Sequence, residues 1–223
     1  MNIKYTNVSN PHLKLINEPD IDILQKIINN ILSSSSKNKK ISVLNIGGGF
    51  LKPCEKFLRD HKSTDYFILD IQNSENQKEI ILGDITDINL ELRQTFDFIY
   101  SADTFEHILN PWDATKNILK FLNNNGYIFC KAPFSWRYHA CPFDTYRYSH
   151  TGMRYLFEHL SQIKHIGGGY RKLAHSKGWY ADKTDVTLDG KPYTENIETY
   201  YIGQKDETHI FDISDYDKGW KRH

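Results

Sequence analysis

Apolar residues follow two different patterns along the chain, and the change falls at residue 41. In residues 21–32 they recur at three- and four-residue intervals, which predicts an amphipathic helix with one buried face. Residues 33–40 carry no apolar side chain and are predicted to form a polar connector. Beyond it, short apolar runs alternate with helical stretches, which is typical of βαβ units in a parallel sheet.

The apolar runs predict the strands of that sheet. Five strands are expected at residues 41–46, 66–71, 79–82, 96–101 and 127–132, with crossover helices at 54–61 and 112–122. Gly126 is expected to end the second helix in the left-handed conformation. A helix at 151–160 and strands at 161–169 and 197–204 then predict a late antiparallel hairpin. The predicted fold class is therefore α/β, with a doubly wound, Rossmann-like, mostly parallel sheet and helices on both faces.

Composition narrows the classes of partner. The 223 residues include 28 Lys and Arg and 28 Asp and Glu, so there is no surplus of positive charge for a nucleic-acid backbone. No stretch approaches the roughly 20 apolar residues of a membrane span. The three cysteines show neither a disulfide framework nor Cys-x-x-Cys spacing, as expected of reduced thiols. We therefore expect a single cytoplasmic domain that binds neither nucleic acid nor membrane, and a homo-oligomer is left open.

Three strand ends carry residues suited to binding a nucleotide. A strand runs directly into Gly47, Gly48 and Gly49, and such a turn lets backbone N–H groups approach a ligand closely. Asp70 ends the next strand about 20 residues later, where doubly wound folds place an acid that accepts hydrogen bonds from a ribose. Asp84 follows the third strand, where its carboxylate can accept a hydrogen bond from an adenine amine.

The ordered set of these features resembles the class I S-adenosylmethionine-dependent methyltransferases, and within them the small-molecule group called type 11. The resemblance covers about residues 41–157. Besides the glycine turn, Asp70 and Asp84, it rests on the strand at 96–101, the sequence Phe-Glu-His-Ile at 105–108, Pro111 and the turn at 122–126. The family implies a sheet of seven strands, six parallel and one reversed. It also implies S-adenosylmethionine as cofactor, with S-adenosylhomocysteine as product.

The resemblance also assigns cofactor residues. It places the backbone of residues 47–49 at the methionine part, Asp70 at the ribose hydroxyls, and Asp84 with Ile85 at the adenine. Ser101 and Asp103 would lie near the methionine amino group and the transferable methyl. The full set expected to bind the cofactor is Asn45, Gly47, Gly48, Gly49, Asp70, Ile71, Asp84, Ile85, Ser101 and Asp103.

Two departures from the family pattern keep alternatives open. Asn45 stands where the family usually has an acid, and Leu51 where a third alternating glycine is common. A binding module that has kept the fold and lost turnover is therefore one alternative. Another nucleotide-dependent α/β enzyme is a second, although a nicotinamide dehydrogenase would be expected to carry Gly-x-Gly-x-x-Gly, and Lys52 stands at the last position of that pattern.

The single methyltransferase domain is expected to have three parts. Residues 1–40 form an N-terminal helix and linker, and residues 41–133 form the cofactor-binding core. Residues 134–223 supply the substrate loop, the C-terminal helix and hairpin, and a polar tail.

The acceptor side is predicted from two histidines and an aromatic loop. If the acceptor is a hydroxyl, a base helps to remove its proton, and histidine titrates near neutral pH. His139 is the first candidate and His107 the second, whose alternative is packing at the start of a helix. The loop after the fifth strand combines aromatic walls with guanidinium groups, which suits a polar, phosphorylated or carboxylated substrate. The residues expected to bind the substrate are Glu106, Trp136, Arg137, Asp144, Tyr146 and Arg147.

Some of these residues allow a different interpretation. Asp144 and Arg147 would, in the alternative, pair with each other and hold the loop to the following helix. Glu106, His107, His139 and Asp144 could gather around a metal, but no His-x-x-x-His or comparable spacing occurs, and no metal is expected. The predicted function is methyl transfer from S-adenosylmethionine to an oxygen or nitrogen of a polar small molecule. A sugar nucleotide or a surface-polysaccharide precursor is an example, by analogy of fold alone.

Overall fold

The computed structural model describes residues 1–6, 14–35, 39–48, 52–73, 80–136, 138–139, 142–172 and 196–214. Within these ranges, one sheet of nine strands carries helices on both faces. The strands are β1 (Tyr5–Thr6), β2 (Leu15–Ile16), β3 (Ile41–Ile46), β4 (Thr64–Asp70), β5 (Ile80–Leu82), β6 (Phe96–Ala102), β7 (Leu122–Ser135), β8 (Ile163–Lys172) and β9 (Ile197–Lys205). The helices are α1 (Asp20–Ser34), α2 (Pro53–Asp60), α3 (Pro111–Phe121) and α4 (His150–Glu158), with a 3-10 turn at Phe105–His107.

The strands lie in the order β1-β2-β8-β9-β7-β6-β3-β4-β5. From β5 to β7 all neighbours pair in parallel, whereas β9 is antiparallel to both β7 and β8. The predicted doubly wound sheet with six parallel strands, one reversed strand and a C-terminal antiparallel hairpin is thus confirmed. Two short strands that the apolar pattern did not predict extend the β8 edge: β2 pairs with β8, and β1 with β2.

Helices α1 and α2 pack on one face of the sheet, and α3 and α4 on the other. The buried residues of α1 recur at the predicted helical spacing and are Ile23, Leu24, Ile27, Ile28 and Ile31. Strand side chains alternate between the faces, so that Val43 packs toward α1 and Leu44 toward α3. None of the described helices is long and apolar enough to cross a membrane.

The end of α3 differs from the prediction. The helix ends at Phe121 and the chain enters β7 at once, with the polar residues 123–126 forming an irregularity between two pairings with β6. The left-handed residue is Asn125, with φ of 63°, and not Gly126. Glycine is needed at position 126 for space, because a Cβ there would lie 2.8 Å from the backbone oxygen of Asn123.

Candidate functional site

Five parallel strands end at one edge of the sheet, and predicted site residues follow those ends. They are Gly47 after β3, Asp70 at the end of β4, Asp84 after β5, Asp103 after β6 and Trp136 after β7. Open α/β sheets bind ligands in the crevice outside such carboxyl ends. The structure therefore gathers residues that are spread over about 90 positions of sequence into one rim.

Gly47 forms the turn between β3 and α2. Its φ is +74°, which an L side chain rarely adopts, and its N–H donates a hydrogen bond to the carbonyl of Leu69 at 2.9 Å. A Cβ at this position would lie 2.3 Å from Oγ1 of Thr104. Both the backbone and the packing therefore require glycine here. Gly49, also predicted to bind the cofactor, lies outside the described residues.

Asn45 supports this turn from below. Its side chain is buried, with 1% exposed, and its Nδ2 donates to the hydroxyl of Tyr66 at 2.7 Å. A Cβ on Gly48 would lie 2.1 Å from that Nδ2, so Asn45 occupies the space that the glycine leaves empty. The structure thus places Asn45 beneath the turn, where it supports the shape of the glycine turn and does not face the crevice directly.

Asp70 stands at the rim, half-buried at the end of β4. Its Oδ1 accepts a hydrogen bond from the N–H of Gln72 at 3.1 Å, and no described residue donates to its Oδ2. The neighbouring Ile71 is 67% exposed. One carboxylate oxygen and an adjoining apolar side chain are therefore presented together at this strand end.

Asp84 and Ile85 lie beside Asp70 but present different surfaces. Asp84 is exposed, and its Oδ1 accepts from the N–H and the hydroxyl of Thr86, both at 2.8 Å. Ile85 is 6% exposed and packs into the core, while its carbonyl accepts from Nδ2 of Asn117 in α3 at 2.7 Å. Only the edge of the Ile85 side chain is thus open to a ligand.

Ser101 lies inside the sheet near the end of β6. Its side chain is fully buried, and its hydroxyl donates to the carbonyl of Ile46 at 3.2 Å. The side chain therefore ties β6 to β3 directly below the glycine turn. Any contact of Ser101 with a ligand in the crevice would have to come from its backbone.

Asp103 is a charged residue of the rim and follows β6. It has a φ of 54°, a left-handed conformation that is uncommon outside glycine and typical of functional loops. Its Oδ2 lies 2.7 Å from Nζ of Lys52 and 3.7 Å from Nζ of Lys131. Burial alone would raise the pKa of Asp103, but Lys131, Lys52 and His139 outweigh burial and hold the pKa below its ordinary value.

Lys131 was not predicted as part of the site. Its ammonium lies 3.2 Å from Glu198 and 3.8 Å from Asp20, in addition to Asp103. Burial lowers the pKa of Lys131, but the three carboxylates outweigh it and raise the pKa above its ordinary value. A lysine inside the otherwise apolar run of β7 was the available signal, since buried charges are paired.

Three side chains lie close together beyond the ends of β6 and β7, and we call them the acceptor cluster. They are Glu106 and His107, in the 3-10 turn after β6, and His139, in the segment after β7. Oε1 of Glu106 lies 3.8 Å from Nε2 of His107 and 3.8 Å from Nε2 of His139. The two imidazole rings meet edge to face with centroids 5.1 Å apart. Both histidines are partly open to solvent, whereas Glu106 is fully buried. The structure brings together both predicted base candidates.

The segment after β7 reaches this cluster because it is bonded to the 3-10 turn. The N–H and the hydroxyl of Thr145 donate to the carbonyl of Glu106 at 2.7 and 2.8 Å. The hydroxyl of Tyr148 donates to the carbonyl of Phe105 at 3.1 Å. These bonds span about 40 positions of sequence and fix the loop that carries His139.

Asp144 and Arg147 pair with each other, as the alternative interpretation of these two residues predicts. Arg147 donates from Nη1 to Oδ1 of Asp144 at 2.5 Å and from Nη2 to Oδ2 at 2.7 Å. The Asp144 side chain is fully buried, and Oδ2 also accepts from the N–H of His139 at 2.7 Å. Burial opposes ionisation, but Arg147 and His139 lower the pKa of Asp144 to about 2. This placement favours a loop-holding role for Asp144 over contact with a substrate.

The remaining predicted substrate residues line the outside of the loop. Trp136 is partly buried, and its carbonyl accepts from Nε of Arg147 at 3.2 Å. Tyr146 is 38% exposed, and its hydroxyl donates to the carbonyl of Leu109 at 3.2 Å. Arg137 lies outside the described residues.

The comparison that decides the family covers most of these elements. A family model described as a methyltransferase domain matches residues 20–170, more than half of the chain. The match includes the glycine turn, Asp70, Asp103 and the acceptor cluster. The chain belongs to this family. It is a class I S-adenosylmethionine-dependent methyltransferase, and its type 11 grouping stays a prediction.

Three solved structures share the fold at low sequence identity. A Galdieria sulphuraria protein described as a sarcosine dimethylglycine methyltransferase is 12% identical, with 87% of this chain and 89% of that chain covered and a TM-score of 0.56. The methyltransferase in the complex with the Trm112 methyltransferase activator of Haloferax volcanii is 16% identical, with 86% and 95% covered and a TM-score of 0.55. The YcgJ protein of Bacillus subtilis is 11% identical, with 82% and 99% covered and a TM-score of 0.52. No curated protein matches the chain.

The methyltransferase uses S-adenosylmethionine as its cofactor. The charges at the rim fit this molecule, which carries a positive sulfur, an amino group and a carboxylate. The Asp103 carboxylate suits the positive groups, and the ammonium of Lys52 beside it suits a carboxylate. The glycine turn admits close approach of a ligand to the backbone, and Asp70 offers an oxygen for hydroxyl donors.

Proposed function

We propose that this methyltransferase moves a methyl group to an oxygen or nitrogen of a polar small molecule bound against the acceptor cluster. Sugar nucleotides and surface-polysaccharide precursors belong to this class of acceptor. The observation that carries the proposal is the closeness of the two halves of the site: Thr104 lies against the glycine turn at Gly47, and Glu106 and His107 follow it in the 3-10 turn. The groups suited to the cofactor and those suited to the acceptor therefore share one crevice.

The cofactor is proposed to bind along the edge of the sheet that is formed by the carboxyl ends of the parallel strands. Backbone groups of the glycine turn receive the methionine part, while Asp70 with Ile71 receives the ribose. Asp84 and the open edge of Ile85 receive the adenine, and Asp103 lies near the methionine amino group. The residues proposed to bind the cofactor are Asn45, acting from beneath the turn, Gly47, Gly48, Gly49, Asp70, Ile71, Asp84, Ile85, Ser101 and Asp103.

The histidines of the acceptor cluster are proposed to take the proton of the acceptor. Bound cofactor supplies a methyl group on a positively charged sulfur, which passes to the acceptor atom as the C–S bond breaks and leaves S-adenosylhomocysteine. His139 takes the proton of the acceptor on Nε2, because its Nδ1 lies 3.3 Å from Oδ2 of Asp144 and that negative charge favours a hydrogen on Nδ1. His107 is the second candidate for this role.

The walls of the acceptor site come from the aromatic loop. Trp136 and Tyr146 shield the reacting atoms from water, and Arg137 supplies positive charge for an anionic substituent, whereas Arg147 holds the loop through Asp144. Glu106 lies behind both histidines. The balance of 28 basic and 28 acidic residues supports a small acceptor over a nucleic acid.

The test is acceptor-dependent release of S-adenosylhomocysteine, measured by chromatography across a panel of sugars, sugar nucleotides, amines and carboxylates. We expect at least one polar acceptor to raise the rate above that of cofactor alone. His209→Gln serves as the control variant, since His209 follows β9 and lies at the opposite edge of the sheet. Tight cofactor binding without release on any acceptor would favour the binding module that has lost turnover.

A further inference from the structure

We propose that the acceptor cluster of Glu106, His107 and His139 is a binding site for a divalent first-row transition-metal ion. One donor atom from each residue lies within 4.8 Å of the other two. Nothing in the spacing of these residues along the chain suggested the site, because the loop after β7 brings His139 to the other two.

Glu106 is a buried acid whose carboxylate lacks a hydrogen-bond partner among the described residues. Its side chain is fully buried, and neither carboxylate oxygen accepts a hydrogen bond from any described residue. Buried polar groups in native proteins are almost always paired, and a buried carboxylate is unfavourable without a compensating partner. A cation between Glu106 and the imidazoles would supply that partner.

The surroundings of the two imidazoles leave Nε2 of each ring as the nitrogen that would bind an ion. Nδ1 of His107 lies against the carbonyl of Phe143, and a carbonyl only accepts, so Nδ1 carries the hydrogen. Nδ1 of His139 lies 3.3 Å from the carboxylate of Asp144, whose negative charge favours the same tautomer. In both rings Nε2 then carries the lone pair, and it lies 3.8 Å from Oε1 of Glu106. Metal-bound histidines are held in this way, with the other ring nitrogen donating to a carbonyl or a carboxylate.

The distances between the donor atoms also fit a bound metal ion. Metal bonds to imidazole nitrogen and carboxylate oxygen are about 2.0–2.2 Å long, which puts donors on one ion about 3–4 Å apart. The two separations of 3.8 Å from Oε1 of Glu106 fit this range. His107 and His139 are 21% and 31% exposed, so an ion can enter from solvent.

The donor set selects the class of ion. Two imidazole nitrogens with one carboxylate suit zinc, cobalt, iron or manganese, whereas magnesium and calcium prefer oxygen donors. Three protein ligands leave coordination positions open, as in catalytic and not structural sites.

The role of the ion, though not its binding, rests on the proposed function. An acceptor hydroxyl on an open position would lose its proton to solvent more readily, because a bound cation stabilises the alkoxide. One lone pair on Nε2 cannot both hold the ion and accept a proton. In the metal-loaded protein, the ion therefore takes over the task assigned to His139 as a base.

The test is a titration of chelator-treated protein with Co²⁺, without cofactor or acceptor, followed by visible absorption. We expect one Co²⁺ per chain, displacement by Zn²⁺ and no effect of an equal concentration of Mg²⁺. Glu106→Gln, His107→Gln and His139→Gln should each weaken Co²⁺ binding more than about 10-fold. Asp144→Asn should weaken it about 10-fold by loosening His139.

Two controls keep the result specific. His209→Gln should bind Co²⁺ like the wild type, and circular dichroism melting should show that each variant is folded. Absence of Co²⁺ absorption, or equal affinity in the folded Glu106→Gln, His107→Gln and His139→Gln variants, would overturn the metal site. The proposed methyl transfer would stand in that case, because S-adenosylhomocysteine release is measured separately, with His139 as the base.

Discussion

Nδ1 of His139 lies 3.3 Å from Oδ2 of Asp144, and the same oxygen accepts the backbone N–H of His139 at 2.7 Å. Asp144 is held in turn by two hydrogen bonds from Arg147. The backbone of His139 is therefore held by a buried carboxylate, and its imidazole lies beside the same group. Such an arrangement orients a histidine for chemistry at its other nitrogen.

Replacing that histidine should affect turnover and not cofactor affinity. His139→Gln removes the group that takes the acceptor proton, and we expect a loss of about 10²–10⁴-fold in kcat once an acceptor is known. Calorimetric affinity for S-adenosylhomocysteine should be unchanged, since Asp103 and Asp70 remain. His209→Gln should leave both quantities at the wild-type value. A fully active His139→Gln variant would remove His139 from the reaction.

The glycine turn should tolerate no side chain. Gly47→Ala forces an L residue into φ of +74° and places a Cβ against Thr104. We expect the free energy of unfolding in urea to fall by about 1–3 kcal/mol and cofactor affinity to fall with it. Gly152→Ala, in the first turn of α4, should change stability by less than about 1 kcal/mol. Equal behaviour of the two variants would mean that the turn is not rigid.

Asp70 should contribute to cofactor affinity through its open carboxylate oxygen. Asp70→Ala should weaken S-adenosylmethionine binding by about 1–3 kcal/mol through lost hydrogen bonds to the ribose. Asp65→Ala is the matched control, because Asp65 lies on the same strand, is exposed and pairs with Lys40. If Asp70→Ala binds as tightly as Asp65→Ala in calorimetry, Asp70 is not part of the site.

Two partly buried histidines between α4 and the C-terminal hairpin should make stability depend on pH. Burial, with the charge of Arg154, lowers the pKa of His165 to about 3 and that of His150 to about 4. Below about pH 6.5 the unfolded chain takes up protons on these residues that the folded protein does not. The free energy of unfolding should therefore fall as pH drops from about 6.5 toward 4.

Urea unfolding between pH 7.5 and 5 measures this effect. His165→Gln should flatten the dependence on pH, because one of the two sites is removed, while His209→Gln should keep the wild-type slope. An unchanged slope in His165→Gln would show that His165 is not the source. Stability above pH 7 should not vary through these two residues.

The strand ends could be predicted because apolar runs and glycine leave a local signal. Residues 41–46 were predicted and observed as β3 with the same bounds, and Asp70 ends β4 as expected. The strands β1 and β2 are two residues long and carry no period that a pattern could show. Their pairing with β8 depends on residues far along the chain.

The candidate site was predictable in part for the same reason. Strand-end residues such as Asp103 follow from the alternation of strands and helices. The partners of Lys131 lie in α1, just after β6, and in β9, and only the folded sheet brings them together. Likewise, His107 and His139 lie 32 positions apart, and the bonds of Thr145 to Glu106 make them neighbours.

The most direct test of the account is calorimetric titration of the purified protein with S-adenosylmethionine and S-adenosylhomocysteine, with NAD and ATP as controls. We expect one site per chain for the first two compounds and no heat of binding from NAD or ATP. Binding of neither S-adenosyl compound by the folded protein, or binding of NAD or ATP instead, would contradict it.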